Sequence, residues 1–191
     1  MTKVYFIRHA EPDYNDLDAV NRALTEKGRG DTYHVANFLK DKEISAVISS
    51  PYQRSFDTVA TFARQMGMEV ETVYDLRERK ICDTYVDDFP GFAEAQWADF
   101  NYKLETGESL GEVQERNVNA LKDILNRYES KNIAIGTHGT ALSTIVNYYD
   151  KSFGYEQFMK IRRVLPWIVV MTFENGECKG IEQYRLNWEK M

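Results

Sequence analysis

Short apolar runs alternate with longer amphipathic stretches along this chain of 191 residues. Most of the short runs are rich in β-branched and aromatic residues and have the length of buried strands. Two of them flank Asn175-Gly176, a dipeptide that is a strong signal for a β-hairpin turn. The predicted strands are Lys3–Ile7, Ala46–Ile48, Glu69–Val73, Asn132–Thr137, Trp167–Phe173 and Cys178–Tyr184.

The stretches between these runs have apolar residues at helical spacing and begin with residues that cap helices. Ser50-Pro51 predicts a helix start, with Ser50 as the N-cap and Pro51 in the first turn. Ser109 followed by Glu112 fits the capping box of a long helix. Strands that alternate with such helices predict an α/β fold with a largely parallel sheet. Five helices are predicted: one that begins at Thr25, one from Ser50 to about Met66, one over Gly91–Leu104, one from Ser109 to about Tyr128, and one over Gly139–Tyr149.

The stretch from Tyr74 to about Pro90 shows no sustained period and is rich in charged and aromatic residues. A loop of this length inside a compact domain is typical of a functional segment. Together with the helix that follows, it is a predicted cap or insertion at about residues 74–108. Because no repeat, low-complexity segment or linker interrupts the chain, we expect a single domain over residues 1–191.

The charge balance narrows the classes of partner. The chain has 24 Lys and Arg against 30 Asp and Glu, a net charge of −6. It therefore lacks the general basic surface of a nucleic-acid-binding protein, although a local cluster of arginines can still bind a small anion. No segment reaches about 18 consecutive apolar residues, so we expect no membrane span.

The two cysteines, Cys82 and Cys178, belong to no CxxC or zinc-ligand pattern. This usage is typical of a reducing compartment, and the first residues do not resemble a signal peptide. We therefore expect a soluble, cytoplasmic protein without a bound metal. Its oligomeric state is not indicated by the sequence.

Two of the three histidines follow predicted strands directly. Arg8-His9 comes after the first strand, and His138 comes after the strand that ends at Thr137. The carboxyl ends of parallel strands share one edge of the sheet, which is where ligands bind in such folds. We expect both imidazoles to face one crevice there, whereas His34, inside a predicted helix, is expected to be structural or exposed.

Arg54 lies near the start of the helix that follows the second strand. A helix N-terminus attracts anions, and an arginine there is favourable mainly when an anion is bound. Arg8 and Arg54 together can offer planar donor groups to the oxygens of a phosphoryl group. The alternative is a surface arginine paired with Asp57 or Glu11.

Five motifs follow one another in a fixed order along residues 3–140. They are Arg8-His9 after the first strand, Ser50-Pro51-x-x-Arg54, Leu76-Arg77-Glu78, Gly107-Glu108-Ser109 and Thr137-His138-Gly139. In this order they resemble the histidine phosphatase superfamily, the phosphoglycerate-mutase-like group. Ala10 stands where that family usually has glycine. The resemblance implies a three-layer α/β sandwich with a mostly parallel central sheet flanked by helices.

The resemblance also implies that His9 is a nucleophile that forms a phosphohistidine. The attacking imidazole has to be neutral, and the positive charges of Arg8 and Arg54 together with a second histidine are expected to lower its pKa. Its other ring nitrogen is expected to donate to a backbone carbonyl. Arg8, Arg54 and His138 would neutralise the phosphoryl oxygens without a metal or cofactor, and Gly139 completes the predicted substrate-binding set.

The family's proton donor is a carboxylate in the loop after the third strand, the place that Glu78 occupies. A bound phosphate dianion and partial burial both favour a protonated carboxyl group. The alternative donor is Asp13, which follows His9 closely. In this family the segment after the acid influences substrate preference, so part of an aromatic set there is expected to wall the pocket. That set is Tyr85, Phe89, Phe92, Trp97, Phe100 and Tyr102.

These expectations predict a phosphatase that hydrolyses a small phosphomonoester. The closest alternative is a cofactor-dependent phosphoglycerate mutase, which passes the phosphoryl group to another hydroxyl. Such mutases usually have longer chains with extra recognition residues after the Arg-His motif, which favours hydrolysis here. A third alternative is a non-catalytic relative that binds phosphorylated ligands. The retained histidines, arginines and acid candidate favour an enzyme over this last class.

Overall fold

A computed structural model of the chain describes residues 1–84, 86–185 and 189–191. Its regular elements are six strands, six α-helices and one 3₁₀ turn, Tyr74–Leu76. The strands are β1 (Thr2–Arg8), β2 (Ile44–Ser49), β3 (Val70–Thr72), β4 (Asn132–Thr137), β5 (Trp167–Glu174) and β6 (Glu177–Arg185). The helices are α1 (Glu26–Leu39), α2 (Gln53–Gln65), α3 (Phe89–Ala98), α4 (Leu110–Arg127), α5 (Gly139–Tyr149) and α6 (Tyr155–Ile161).

The six strands form one sheet in the order β3-β2-β4-β1-β5-β6. The first four are parallel, and β5 and β6 add an antiparallel hairpin beyond β1. This confirms the predicted α/β fold with a mostly parallel sheet. The hairpin turns at Asn175 and Gly176, whose φ angles of 52° and 80° suit the predicted Asn-Gly turn.

Alternate residues of the central strands enter two hydrophobic cores, one on each face of the sheet. Val4 and Phe6 of β1 pack on the side that α4, α5 and α6 cover. Tyr5 and Ile7 pack on the opposite side, under α1 and α2. Because both faces are covered by helices, the arrangement is the three-layer sandwich that the resemblance implied.

The two predicted helix caps have different outcomes. Ser109 caps α4, since its Oγ accepts a hydrogen bond from Glu112 N and the Glu112 carboxylate accepts one from Ser109 N. The prediction that Ser50 caps α2 was wrong, because α2 begins at Gln53 and Tyr52 is its N-cap without a side-chain hydrogen bond. The Ser50 hydroxyl instead contacts His138.

The helices near the predicted cap and after α5 also differ from the prediction in detail. The predicted helix Gly91–Leu104 is α3, which starts at Phe89 because Asp88 accepts a hydrogen bond from Gly91 N. It ends at Ala98, where the backbone of Asp99 becomes extended. The seven residues of α6 were not predicted, since so short a helix shows little periodicity. Across the described ranges, none of the helices has both the length and the apolar character that crossing a bilayer requires.

Candidate active site

The two predicted histidines meet at one edge of the sheet. Strands β1 and β4 are parallel neighbours with Arg8 opposite Thr137, so His9 and His138 leave the sheet side by side. His9 N continues the ladder by donating to Thr137 O at 3.0 Å. The two imidazole rings lie edge to face with their centroids 5.4 Å apart. The predicted common position of the two side chains is therefore observed.

The tautomer of His9 follows from its backbone contact. Its Nδ1 lies 2.8 Å from the carbonyl oxygen of Ala10, and because a carbonyl only accepts, Nδ1 carries the hydrogen. Nε2 then has the free lone pair that a nucleophile needs. Ala10 is fully buried and its φ is not positive, so alanine fits without backbone strain at the position where the family usually has glycine.

His138 is completely buried and has one hydrogen-bonded ring nitrogen. Its Nε2 lies 2.8 Å from Ser50 Oγ, which itself accepts a hydrogen bond from Tyr52 N at 3.3 Å. Ser50 Oγ thus accepts from Tyr52 N, and its hydroxyl hydrogen is available to donate to His138 Nε2. The other ring nitrogen of His138, Nδ1, is buried and has no partner among the described residues.

Both histidines are held neutral. Burial lowers the pKa of His9 well below its usual range, and the nearby charges of Arg54 and Arg8 lower it further. Burial, Arg54 and His9 together lower the pKa of His138 in the same direction. The sequence predicted this direction from neighbouring charges, whereas in the folded protein burial is the larger cause.

We expect the free energy of unfolding to fall as the pH drops below about 6.5, the ordinary pKa of histidine. In that range the unfolded chain takes up protons that the buried His9 and His138 do not, so acid favours unfolding. The loss continues down to the lowered pKa values of the folded protein. Each of the two adds up to about 1.4 kcal/mol per pH unit. Urea unfolding curves at several pH values would measure the slope.

The variants His9→Asn and His34→Asn separate this effect from the titration of carboxylates. His34 is exposed on α1, and its variant is the control for removing a surface histidine. His9→Asn should make the acid-side slope shallower. Identical slopes for His9→Asn and the wild type would contradict the expectation.

Arg8 is buried and fixed by the far end of α6. Its Nη1 donates to Ile161 O at 2.8 Å and to Val164 O at 3.2 Å, and its Nη2 donates to Arg162 O at 3.0 Å. Arg8 Nε is buried without a partner among the described residues. The guanidinium packs against Gly139, where an added Cβ would lie 3.0 Å from Arg8 Cζ. Glycine at this position therefore makes room for Arg8.

Arg54, the second residue of α2, is only 6% exposed. Its Nη1 donates to Ala19 O at 2.6 Å, and its guanidinium lies over the Tyr52 ring. The alternative of a surface arginine paired with Asp57 or Glu11 was wrong. Burial lowers the pKa of Arg8 and Arg54, and neither forms an ion pair with a described carboxylate. Two buried, unpaired guanidinium groups at the sheet edge favour an anionic ligand.

The carboxyl group of Glu78 is seated on the first turn of α5. Its Oε1 accepts hydrogen bonds from Arg79 N at 2.8 Å and Ala141 N at 3.0 Å, and its Oε2 accepts one from Thr140 N at 3.0 Å. Asp13, the alternative donor, instead binds Asn15 through Oδ1. Glu78 therefore contacts the start of α5, the helix that His138 precedes.

Two cavities open over this edge of the sheet. One of about 450 Å³ is bordered by Arg8, Glu78 and Gly139, and a larger one of about 870 Å³ is bordered by Arg54, Glu78 and Arg77. They share Glu78, Arg79, Ile81 and Phe89 in their walls. Asp13 is not among the described residues that border either of them. His9 and His138 are at most 5% exposed, and among the described residues neither borders either cavity directly; their neighbours Arg8 and Gly139 border the smaller one.

Part of the predicted aromatic set contacts this space. Phe89 borders both cavities, whereas Phe92 packs near the exposed Tyr102 and the partly buried Trp97 packs near Phe153 and Phe158. Tyr85 lies outside the described residues. Arg79, which was not a predicted site residue, is 7% exposed and borders both cavities. Its position next to Glu78 was the only signal in the sequence.

Several known proteins are similar to this chain. A family model described as histidine phosphatase superfamily (branch 1) matches residues 4–183. An Erwinia tasmaniensis protein named "Probable phosphoglycerate mutase GpmB" is 30% identical over 159 residues, which cover 77% of this chain and 74% of that protein. "Phosphoserine phosphatase 1" of Hydrogenobacter thermophilus is 23% identical over 155 residues, 72% of this chain and 71% of that one.

A solved structure extends the similarity to the whole fold. It is a phosphoserine phosphatase mutant from Entamoeba histolytica in complex with phosphoserine. The two structures match with a TM-score of 0.75 over 95% of this chain and 96% of the other, at 22% sequence identity. At that identity the match establishes a shared fold.

Proposed function

Because the chain belongs to the histidine phosphatase superfamily, we propose that it hydrolyses a phosphomonoester through a phosphohistidine on His9, with Glu78 as the general acid. The observation that carries this proposal is the state of His9. Its Nδ1 is bound to the Ala10 carbonyl, its pKa is lowered, and its Nε2 is left free as a neutral nucleophile. The ring stands beside His138 and in the field of two buried arginines.

In the first step the Nε2 lone pair of His9 forms a bond to phosphorus while the bond from phosphorus to the departing alcohol oxygen breaks. The three remaining phosphoryl oxygens carry the negative charge of the transition state. Arg8 and Arg54 have free N–H groups to stabilise it, and His138 Nδ1 is a further donor when Ser50 donates to Nε2. No step of this chemistry requires a metal or a cofactor.

Glu78 transfers its proton to the departing oxygen as that bond breaks. In the second step a water molecule attacks the phosphohistidine and gives a proton to the Glu78 carboxylate, which releases inorganic phosphate and restores His9. Three backbone N–H groups orient the carboxyl group before any substrate binds.

A phosphoglycerate mutase is the second candidate, because the relative with 30% identity carries that name. The phosphoryl group on His9 would then pass to a second hydroxyl instead of to water. The segment after Arg8-His9, residues 10–17, lacks the extra recognition residues that such mutases usually have. This difference supports hydrolysis.

We propose that the substrate is a small phosphorylated molecule, rather than a nucleic acid, and that the enzyme acts in the cytoplasm. Residues 74–108 serve as a cap on a single domain, since Glu78, Arg79 and Phe89 from this segment border both cavities. The surrounding guanidinium groups suit an anionic substrate.

A phosphate-release assay over a panel of phosphomonoesters tests the proposal. We expect release from at least one of phosphoserine, 3-phosphoglycerate and an aryl phosphate, with label from the substrate trapped on His9. Rapid interconversion of 2- and 3-phosphoglycerate in the presence of bisphosphoglycerate, without release of phosphate, would support the mutase instead. Binding of these compounds without turnover would support a non-catalytic relative.

A further inference from the structure

A largely buried ion pair lies behind the loop that carries Glu78. Arg116 of α4 is 11% exposed and Glu108 is 19% exposed. They form a bidentate ion pair, in which Arg116 Nε lies 2.8 Å from Glu108 Oε1 and Arg116 Nη2 lies 2.9 Å from Glu108 Oε2. Arg116 borders neither of the two cavities among the described residues, so it does not belong to the phosphate-binding groups.

Arg116 uses the rest of its donors on the backbone around Glu78. Its Nη1 donates to Asp75 O at 2.7 Å and to Arg77 O at 2.8 Å, and its Nη2 donates to Glu78 O at 3.2 Å. A guanidinium group has five N–H donors, and all five are occupied here. Three of them therefore hold the carbonyl groups of one short segment.

Glu108 holds the same segment from its other end. Its Oε2 accepts a hydrogen bond from Lys80 N at 2.9 Å, and its backbone N donates to Lys80 O at 2.8 Å. Burial by itself raises the pKa of Glu108, but hydrogen bonds from Arg116 and from Lys80 N outweigh it, and the pKa is lowered. The carboxylate therefore stays charged.

Close backbone packing completes this arrangement. A Cβ added at Gly107 would lie 1.9 Å from Ile81 O, so only glycine allows the two segments to approach this closely. The Gly107-Glu108-Ser109 motif thus serves two purposes. Gly107 and Glu108 fix the loop after β3, and Ser109 caps α4.

We infer that Arg116 is a positioning residue for the proton donor: by holding the carbonyls of Arg77 and Glu78, it places the Glu78 carboxyl group over the cavities. This inference rests on the proposed function, because it takes Glu78 as the general acid. Arg116 acts through Glu78 and touches no reacting atom. An arginine is needed here because its planar guanidinium group has five N–H donors, enough for the carboxylate and the three carbonyls together. A lysine ammonium has only three.

The variant Arg116→Lys tests this inference through the leaving group. An alkyl phosphate such as phosphoserine leaves as an alkoxide and depends on proton donation, whereas p-nitrophenyl phosphate leaves as a stable phenolate. We expect kcat/KM for the alkyl substrate to fall about 10- to 100-fold and for the aryl substrate to change less than about threefold. The quantity kcat/KM is used because it includes the departure of the alcohol.

Two further variants separate the possible failures. Arg127→Lys weakens the ion pair between Arg127 of α4 and Glu71. It should leave kcat/KM unchanged for both substrates. Glu78→Gln should show the same selective loss as Arg116→Lys, only larger. If Glu78→Gln is not selective, the assignment of the acid in the proposed function is wrong.

The positioning role is wrong if Glu78→Gln lowers kcat/KM selectively for the alkyl substrate but Arg116→Lys lowers kcat/KM equally for both substrates or for neither. Thermal unfolding of each variant shows whether it is folded. Should Arg116→Lys lack a cooperative transition, Glu108→Gln takes its place. Its amide has one acceptor oxygen where the carboxylate has two, so the contacts with Lys80 N and with both Arg116 donors cannot all persist, and it must give the same selective loss. An equal loss on both substrates in that variant would likewise overturn the inference.

Discussion

Replacing His9 with asparagine is expected to reduce phosphate release by about 10⁴-fold or more, because the variant has no group that can form the covalent intermediate. Asparagine retains a donor of similar reach toward the Ala10 carbonyl, so the local structure should persist. Steady-state phosphate release measures the loss. Rapid acid-free quenching with labelled substrate, followed by detection of acid-labile protein-bound phosphate, checks the intermediate itself.

His34→Asn is the matched control for this substitution. His34 is exposed on α1, away from the sheet edge, and its variant should retain wild-type turnover and labelling. A His9→Asn protein that still becomes labelled, or that keeps most of its turnover, would assign the nucleophile to another group.

The second large effect is expected for Arg54→Met, with a loss of about 10²- to 10³-fold in kcat/KM. The substitution removes a buried charge that stabilises the phosphoryl oxygens but retains an unbranched side chain of similar reach. Stability should change little, because the one described protein acceptor of Arg54 is Ala19 O. Arg8→Met would be harder to interpret, since Arg8 also binds three carbonyls near the end of α6.

Arg64→Met, in the last turn of the same helix, controls for the general effect of removing an arginine from α2. Arg64 is exposed and should be replaceable without loss of activity. Inorganic phosphate, as a competitive inhibitor, gives an independent measurement, and its inhibition constant should rise in Arg54→Met alone. Unchanged inhibition and turnover in that variant would place phosphate recognition elsewhere.

Local signals were sufficient to predict most elements of this fold. The bounds of β4 and α5 agree with the prediction at every residue, because an apolar run ends in Thr137-His138-Gly139 and an apolar helix follows at once. Ser50 shows where such signals fail. Ser-Pro is a helix-start pattern, but the hydroxyl has a more favourable partner in His138, which lies 88 positions further along the chain.

The candidate site was predictable to a similar extent. The meeting of His9 and His138 follows from the geometry of parallel strands, so it needed only the positions of two strand ends. The contacts of Arg8 with the end of α6 join residues more than 150 positions apart. The hydrogen bonds between Glu78 and the start of α5 join residues more than 60 positions apart. These long-range contacts produce no periodic pattern in the sequence that could predict them. The same is true of the contacts between Arg116 and the three carbonyls.

The pairing of β1 with β4 also affects how the molecule acquires its activity. Residues 3–8 must find residues 132–137 before the two imidazoles can meet, and closing so long a loop of chain slows folding. No partial assembly of the first hundred residues contains both rings. Recovery of turnover after dilution from denaturant should therefore be among the last signals to return, later than helix content measured by circular dichroism.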